Sequence, residues 1–299
     1  MARTSFRQVL SEHDGGNPLV VPGATHAFMA KLIEDAGFEA AYVSGAGTAA
    51  TIFGLPDVGL MTMTELIANV AQISEAVSIP IFADADQGFG NAVNVARTVR
   101  EYEKAGASAI QIEDQTFPKK CGHMDGKEVV PIEEMVGKVR AACDARTDSD
   151  TVIVARTDAR ATDDLDEALR RAEAYAKAGA DVIFPEAMRT EDEFAHVAKE
   201  LAGIPLVANM TEWGKSPMLS ASELGAMGYT IVIFPSAPMR AAQGAIRDLL
   251  GELRSTGTQR HLVERMLPRQ ELYRLVGLDA VNAWEQEYLP ASAPTHPAP

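Results

Sequence analysis

Cysteine is scarce in this chain: only two of its 299 residues are cysteines, Cys121 and Cys143. Two cysteines could form one bridge at most, which is too few for a disulfide-framed secreted scaffold, so we expect both to be free thiols. The sequence also lacks any apolar run of about 18 residues, and its first residues lack the apolar core of a signal peptide. We therefore expect a cytoplasmic protein without a membrane span.

Basic residues are also few relative to acidic ones. The chain has 27 Lys and Arg against 42 Asp and Glu, a formal net charge of −15. Such a charge repels a phosphate backbone and an anionic membrane surface, so we expect neither nucleic acid nor membrane as a partner. Hydrophobic residues make up 46% and charged residues 23%, as in ordinary globular enzymes, which excludes disorder of the whole chain.

A helix-to-strand unit recurs along the chain. In each copy a helical stretch ends in Gly and an apolar run follows, which is typical of a strand buried on both faces. With other apolar runs, the count is eight strands, near residues 19, 40, 79, 109, 151, 181, 205 and 230. Eight alternations predict an α/β fold of the (β/α)₈ TIM-barrel type rather than an open sheet. We expect a barrel over 1–257, a helical extension of the same domain over 258–290, and a disordered tail over 291–299.

Polar side chains follow the apolar interiors of almost every predicted strand. In a barrel of this kind, chemistry occurs at the carboxyl ends of the strands. A single Asp after a strand is often only a helix cap or turn former, but the coincidence of so many polar residues on one face indicates a functional site. These residues are Tyr42, Ser44, Asp84, Asp86, Glu113, Arg156, Asp158, Glu186, Asn209 and Thr211, with Arg240 shortly after the eighth strand.

Asp84, Asp86 and Glu113 form an all-oxygen set of candidate metal ligands, because no His or Cys lies at metal-ligand spacing beside them. Oxygen ligands favour a hard cation, so we expect Mg²⁺, with Mn²⁺ as a possible substitute, held partly through waters. In strand geometry Asp84 and Asp86 point to the same face, into the barrel mouth. The alternative is that they cap the helix that begins near Asn91.

Two arginines are candidate clamps for a substrate carboxylate, since guanidinium binds carboxylate through two parallel hydrogen bonds. Arg156 and Arg240 could each instead lie in a structural ion pair, with an acid such as Glu186. The Gly-rich stretch 44–50 fits the spacing of a dinucleotide-binding loop, but the next acid at a strand end, Asp84, lies much too far along the chain. A loop whose N–H groups approach a carboxylate is the better interpretation.

Cys121 lies in the stretch FPKKCGHMDG, after the fourth predicted strand. Metal binding by Cys121 and His123 is disfavoured, because they lack the second ligand pair of a closed tetrahedral site. Packing is disfavoured because Lys119 and Lys120 make the surroundings polar. We expect these cations to lower the pKa of the thiol and make it reactive. Cys121 is thus predicted to be an acid/base on a mobile lid over the substrate, whereas the second cysteine is expected to pack in a helix.

Several short motifs resemble those of the isocitrate lyase and phosphoenolpyruvate mutase superfamily. They are KKCGH at 119–123, DADQGFGN at 84–91, SGAG at 44–47, GLPD at 54–57, ARTDA at 155–159, FPEA at 184–187 and ANMTEWG at 208–214. The likeness covers nearly the whole chain, and KKCGH is typical of the cysteine-bearing lyases, with 2-methylisocitrate lyase as the most similar branch. Superfamily members are (β/α)₈ barrels, usually tetramers that exchange a helix between subunits, and the resemblance implies the same here.

The resemblance implies a Mg²⁺ site and a site for a di- or tricarboxylate substrate. Asp84 would bind the ion, with Asp86 and Glu113 acting mostly through waters, and Cys121 would protonate the departing carbanion. Tyr42 matches a residue proposed as the base, although it could instead only orient the substrate hydroxyl. Further implied residues are Lys119 and Asp57, then Ser44, Gly45, Ala46, Gly47 and Arg156 for the pyruvate-forming end, and Gly122, His123, Glu186, Asn209, Thr211 and Arg240 for the succinate-forming end.

The reaction implied is cleavage of 2-methylisocitrate to pyruvate and succinate. Within the superfamily, 2,3-dimethylmalate lyase is close behind, and carboxyphosphonoenolpyruvate mutase ranks third because it tends to lack the TEWG-like segment. Relatives often have Phe where this chain has Trp213, so this side chain could reshape the pocket. A silent dicarboxylate-binding barrel is disfavoured by the intact acid and thiol residues, and an NAD-dependent dehydrogenase by the poor fit of the Gly-rich loop.

Overall fold

A computed structural model describes residues 4–14, 16–124 and 126–289 of the chain. Its eight strands all pair in parallel, and each begins close to a position predicted from the sequence. The strands are β1 (Leu19–Pro22), β2 (Ala41–Val43), β3 (Ile81–Asp84), β4 (Ala107–Glu113), β5 (Val152–Thr157), β6 (Val182–Pro185), β7 (Val207–Asn209) and β8 (Ile231–Phe234).

The strands close into a barrel. Continuous pairing gives the orders β2-β3-β4-β5-β6 and β1-β8-β7. Two parallel bridges join these groups: Gly23 pairs with Tyr42 between the ends of β1 and β2, and Ile183 pairs with Leu206 between β6 and the start of β7. Neighbouring strands are therefore consecutive all the way round, and the predicted (β/α)₈ fold is confirmed.

Helices alternate with the strands. They are α1 (Phe6–Leu10), α2 (Ala27–Asp35), α3 (Gly45–Thr48), α4 (Met63–Ala76), α5 (Ala92–Lys104), α6 (Ile132–Ala145), α7 (Ala159–Thr162), α8 (Leu165–Lys177), α9 (Glu191–Glu200), α10 (Ala221–Met227), α11 (Ala237–Thr256), α12 (Arg269–Leu275) and α13 (Leu278–Tyr288). A π-helical stretch (Ala49–Phe53) continues α3, and a 3₁₀ helix (Arg260–Arg265) precedes α12.

Local sequence explains where several helices begin. Capping boxes open α4, where Thr62 and Glu65 exchange hydrogen bonds, and α10. Asn91 caps α5 by accepting from the N–H groups of the first turn. Because a capping side chain typically contributes about 1 kcal/mol, these residues stabilise the first turns of their helices. Asp84 and Asp86 do not cap α5, so that alternative reading of the two acids is wrong.

Two apolar layers build the core. One fills the barrel, where Val152 and Val154 of β5 point inward with Ala109 of β4 and Phe82 of β3, and α1 closes the amino-terminal end with Phe6. The other lies between the outer faces of the strands and the surrounding helices. Each strand thus alternates between the two layers, as the two-residue period of strand side chains requires.

The chain divides into two compact units, one ending at Gly244 and the other beginning at Ala245. The second unit contains the end of α11, the 3₁₀ helix, α12 and α13, so the predicted helices after the barrel are present. The limits at 257 and 290 stay predictions, and the tail 291–299 lies outside the described residues. Within those residues, no helix is long and apolar enough to cross a bilayer.

Closure of the barrel depends on the absence of a side chain at Gly23. A Cβ there would overlap the backbone of Pro235, which follows β8. We expect Gly23→Ala to destabilise the protein by about 1–3 kcal/mol, the usual cost of overpacking, in a urea titration. The matched control is Gly137→Ala in α6, where no atom lies near the added Cβ and a gain of about 0.5–1 kcal/mol is expected. Equal stability of the two variants would contradict this account.

Candidate active site

The two-residue alternation that fills the barrel also builds the site. On β5 the inward series Val152, Val154 continues to Arg156, and on β3 the inward Phe82 is followed by Asp84. The side chains are apolar at the bottom of the barrel and ionisable at its carboxyl end. A layered interior of this kind places every polar side chain at one mouth, where loops can cover it.

One cavity of about 60 Å³ lies at this mouth. It brings together most of the residues predicted from the sequence. Those that line it are Tyr42, Ser44, Ala46, Asp57, Asp84, Glu113, Lys119, Cys121, Gly122, His123, Arg156, Asn209 and Thr211. Predicted residues that lie outside its lining are Gly45, Gly47, Asp86, Asp158, Glu186 and Arg240.

Asp84 is held in one orientation by three donors. Its Oδ2 accepts from the N–H of Gly45 at 3.1 Å, and its Oδ1 accepts from the N–H of Asp86 at 3.1 Å and from Gln111 Nε2 at 3.2 Å. The Gly-rich loop therefore offers its amide to a carboxylate of the protein itself. Ser44 caps α3 by accepting from the N–H of Gly47, so that amide also has a partner.

Asp86 is placed by a turn rather than by a strand. β3 ends at Asp84, and Asp86 has a φ of 47°, in the left-handed region. The prediction that Asp86 continues the strand is therefore wrong, although the turn still brings its carboxylate beside that of Asp84, since a Cβ on Gly45 would contact both. Its Oδ1 lies 2.8 Å from Lys119 Nζ, and it lines a second, smaller cavity together with Gly45 and Asp57.

The acids around the mouth suit a divalent cation. Glu113 is buried, and its Oε1 has no hydrogen-bond partner, an unusual state for a buried polar atom. Burial raises the pKa of Glu113 well above its usual value, and burial, opposed by Lys119, raises the pKa of Asp86 to about 6. Within the described residues no three His, Cys, Asp or Glu side chains converge as direct ligands. The residues fit a Mg²⁺ ion that takes its other ligands from water and substrate.

Arg156 lies in a cage of carboxylates. Its Nε and Nη2 donate to the two oxygens of Asp158 at 3.0 and 3.1 Å, and it lies 3.4 Å from Glu113 and 3.3 Å from Glu186. Burial alone would raise the pKa of Glu186, but Arg156 and His123 hold it at about 2. The ion-pair alternative for Arg156 is thus observed, and its guanidinium also lines the cavity. Its role as a clamp for a substrate carboxylate stays a prediction.

Residues 119–124 with Gly126 and Lys127, here called the lid loop, form the roof of the site. A Cβ on Gly122 would overlap Arg156 Nη2, so the lid loop presses its backbone onto the barrel mouth. His123 Nε2 lies 2.9 Å from Glu186, and His123 Nδ1 accepts from the N–H of Lys215 at 3.0 Å. Because Nδ1 accepts, the proton of neutral His123 lies on Nε2, facing the carboxylate.

The surroundings of Cys121 correct one expectation. Burial raises the pKa of the thiol, opposed by a hydrogen bond from the backbone of His123. The predicted lowering by cationic neighbours is wrong, since those cations are engaged elsewhere. Lys119 Nζ contacts Asp57 and Asp86, and Lys120 Nζ donates to the carbonyl of Gly126. Cys121 is therefore a protonated thiol at neutral pH, the form that a general acid needs.

Arg240 does not reach the cavity. Its Nη1 donates to the carbonyl of Glu212 at 2.9 Å, its Nε lies 3.6 Å from the Glu212 carboxylate, and its guanidinium stacks 5.1 Å above the ring of Trp213. The ion-pair alternative is the one observed. Trp213 is 87% exposed and does not line the cavity either, so it does not reshape the pocket. Cys143 is half-buried in α6, as expected, and its thiol donates to the carbonyl of Gly179.

Sequence reasoning missed several residues. Gln111, fully buried, accepts from Tyr42 OH at 3.0 Å while donating to Asp84, and the alternation Ala109, Gln111, Glu113 along β4 could have revealed it. Lys127 was not selected, because nothing in the sequence shows that its side chain turns inward. The cavity lining also includes Lys120, Ile233, Pro235 and Ser236.

Known proteins share both the sequence and the fold of this chain. Residues 6–254 match the family model described as phosphoenolpyruvate phosphomutase. The chain is 49% identical to 2,3-dimethylmalate lyase of Eubacterium barkeri, covering 90% of this chain and 93% of that protein. It is 46% identical to 2-methylisocitrate lyase of Aeropyrum pernix, covering 91% of this chain and 86% of that protein.

A solved structure extends the likeness to the arrangement of the backbone. Phosphonopyruvate hydrolase, in complex with oxalate and Mg²⁺, is 38% identical, covers 95% of this chain and 98% of its own, and superimposes with a TM-score of 0.85. The predicted membership is thus confirmed by sequence and structure together. The chain is a lyase of the phosphoenolpyruvate mutase and isocitrate lyase superfamily and belongs to the phosphoenolpyruvate phosphomutase family.

Proposed function

We propose that this lyase cleaves 2-methylisocitrate to pyruvate and succinate, with Mg²⁺ as cofactor and Cys121 as general acid. The observation that carries the proposal is the single cavity into which Tyr42, Asp84, Glu113, Cys121 and Arg156 all project. It joins an acid set suited to a cation, a guanidinium suited to a carboxylate, and a protonated thiol. C–C cleavage of a 2-hydroxy acid needs these three functions together.

Tyr42 and Gln111 orient the hydroxyl that becomes the ketone of pyruvate. Burial and the nearby Asp84 raise the pKa of Tyr42 well above its usual value, so Tyr42 is a neutral phenol. Its O–H donates to Gln111, which leaves the lone pairs of its oxygen directed to the substrate. Tyr42 therefore positions and accepts from the substrate hydroxyl, consistent with the orienting role that the sequence left open. As the C–C bond breaks, the hydroxyl proton passes to Glu113, whose unpartnered Oε1 is buried at the cavity and whose raised pKa favours the protonated form.

Cys121 gives its proton to the fragment that leaves as a carbanion. The thiol is protonated because burial raises its pKa, and the lid loop places it over the cavity. The electron pair of the broken C–C bond takes the thiol proton, and the resulting thiolate is stabilised by the N–H of His123. Water excluded by the lid loop cannot compete as a proton donor.

Asp84, with Glu113 and Asp86 acting through waters, would hold the metal ion. The unpartnered Oε1 of Glu113 and the excess of buried carboxylates over cations at the mouth support this assignment. A bound Mg²⁺ would polarise the hydroxyl and carboxylate oxygens of the substrate. Mn²⁺ has similar preferences and is the expected substitute.

A second candidate substrate, 2,3-dimethylmalate, is favoured by the position of Arg240. Both molecules carry a hydroxyl, a methyl group and a carboxylate on the carbon that becomes pyruvate, and they differ in the other fragment. Only 2-methylisocitrate has a third carboxylate, which lies on the succinate-forming end, where Arg240 was one of the predicted lining residues. Because Arg240 is engaged by Glu212 and Trp213, a dicarboxylate would satisfy the cations that do face the cavity.

We also propose a cytoplasmic homotetramer with helix exchange. The C-terminal unit supports the assembly, because many of its large apolar side chains are exposed. They include Leu250, Val263, Val281, Trp284 and Tyr288. Exposed apolar surface of this extent is typical of an interface with another chain. Two thiols without a disulfide are consistent with a reducing compartment.

The role of Cys121 is testable by substitution. We expect Cys121→Ser to lower kcat by at least about 10²-fold, because a hydroxyl is a far weaker acid than a thiol. The measurement is pyruvate release, coupled to lactate dehydrogenase. Cys143→Ser is the matched control and should keep its activity, since that thiol lies in α6 and donates to the carbonyl of Gly179. An unchanged rate for Cys121→Ser would remove this residue from the mechanism.

The same assay compares substrates, with glyoxylate measured as its phenylhydrazone in place of pyruvate when isocitrate is used. We expect the largest kcat/KM for 2-methylisocitrate among 2-methylisocitrate, isocitrate and 2,3-dimethylmalate. Loss of one methyl should cost about 1–3 kcal/mol in discrimination. Arg240→Met separates the two candidates. If Arg240 turns towards the cavity when a tricarboxylate binds, the substitution should lower kcat/KM for 2-methylisocitrate and isocitrate and leave that for 2,3-dimethylmalate unchanged. A larger kcat/KM for 2,3-dimethylmalate would replace the first candidate by the second.

Metal dependence has a readout that does not need activity. We expect EDTA-treated protein to be inactive and Mg²⁺ to raise its Tm, since ligand at 100 times its Kd stabilises the fold by about 2.7 kcal/mol. Glu113→Gln should reduce this rise. Glu173→Gln, which changes an exposed acid on α8, should leave it unchanged. A metal-free protein with full activity would refute the assignment of the cofactor.

A further inference from the structure

The lid loop must move for a substrate to enter. The cavity beneath it holds about 60 Å³, whereas sites for small molecules usually enclose about 300–1,000 Å³. Gly122 meets Arg156 and Glu186 without space for a side chain between them. The conformation described is therefore closed, and the contacts that keep it closed determine how readily the site opens.

Three side chains fasten the lid loop to the barrel. Lys119 contacts Asp57 and Asp86, and His123 contacts Glu186, so both lie among the residues of the cavity. Lys127 differs, because it does not line the cavity and no step of the reaction uses it. Its side chain is only 1% exposed.

Lys127 joins the roof of the site to its wall. Its Nζ donates both to the carbonyl of Gly122 and, at 2.5 Å, to Oδ1 of Asp158. A buried ammonium needs such partners, since leaving one unpaired is costly. Lys127 therefore binds the backbone of Gly122, the residue directly after Cys121.

Asp158 connects Lys127 to Arg156, the arginine that lines the cavity. Its Oδ1 accepts from both Lys127 and Arg156 Nη2, and its Oδ2 accepts from Arg156 Nε and Gln115 Nε2. Gln115 in turn pairs with both backbone groups of Lys120, at 2.9 Å each. One buried carboxylate thus holds the lid loop at two points and orients Arg156.

We propose that Lys127 is the latch of the lid loop: by tying the Gly122 carbonyl to Asp158, it couples closure over the substrate to the orientation of Arg156. Lys127 is a positioning residue, because it acts through Gly122 and Asp158 and does not touch the cavity. The inference rests on the proposed function only in treating Cys121 as the group that the closed lid loop delivers. Release of the latch frees the thiol to solvent.

The test is the rate at which iodoacetamide alkylates Cys121, followed by mass spectrometry in a Cys143→Ser background. We expect Lys127→Met to raise this rate about fivefold or more. About fivefold is the lower end of the effect that one site usually has on another to which it is coupled. Lys127→Arg, which keeps the charge beside Asp158, should restore slow alkylation. Lys177→Met, an exposed lysine on α8, is the matched control and should alkylate and react like the parent protein.

The readout is independent of the reaction, so an error in the proposed substrate would leave it unaffected. Near-UV circular dichroism establishes that each variant is folded, and Lys127→Gln is the second neutral variant, with an expected rate between those of Lys127→Met and the parent. A folded Lys127→Met that alkylates at the parental rate would overturn the latch. So would failure of both neutral variants to fold, because Lys127 would then serve the fold and not the lid loop.

Discussion

The buried carboxylate of Asp158 is the interaction on which the rest of the site depends. It accepts hydrogen bonds from Arg156, Lys127 and Gln115, and so holds wall and roof in one network. Burial alone would raise the pKa of Asp158, but Arg156 and Lys127 lower it below its usual value. A carboxyl group with a lowered folded pKa stabilises the fold above its unfolded pKa, and that contribution is lost as the pH falls.

Charge balance explains why such a network is tolerated. Asp57, Asp84, Asp86, Glu113 and Glu186 surround the same mouth, and buried carboxylates are costly unless paired. Lys119 and Arg156 pair with several of them, yet Glu113 keeps an oxygen without a partner and a strongly raised pKa. An additional positive charge at this mouth would offset these carboxylates, as the proposed divalent ion would if it binds there.

The lid loop must both admit the substrate and exclude water from the cavity. Cys121 is half-buried in the lid loop, and this burial raises the pKa of its thiol. Under the proposed mechanism, the closed lid loop would both exclude water and keep the acid protonated. Three side chains of the lid loop, Lys119, His123 and Lys127, contact acids of the barrel and hold the loop closed. Of these three residues, Lys127 does not line the cavity, so its proposed effect on the site is indirect, through Gly122 and Asp158.

The amino-acid sequence by itself determined the strand positions and the barrel, because apolar runs, Gly caps and periodicity are local properties that repeat eight times. It also located most of the cavity lining, since the carboxyl ends of parallel strands converge in any such barrel. What it could not supply were properties set by distant neighbours. The basic neighbours of Cys121 in sequence predicted a lowered pKa, whereas in space they pair with acids and burial raises it.

The remaining differences have the same physical origin. Asp86 leaves the strand pattern at a left-handed turn, Arg240 is captured by Glu212 and Trp213, and Lys127 folds inward to Asp158. Each of these three positions depends on which distant side chain lies nearby in the folded protein, and no local sequence pattern encodes such a contact. The sequence determined which residues could act at one mouth of a barrel; the tertiary structure decided which of them meet, because burial and pairing are set only by contacts between distant segments.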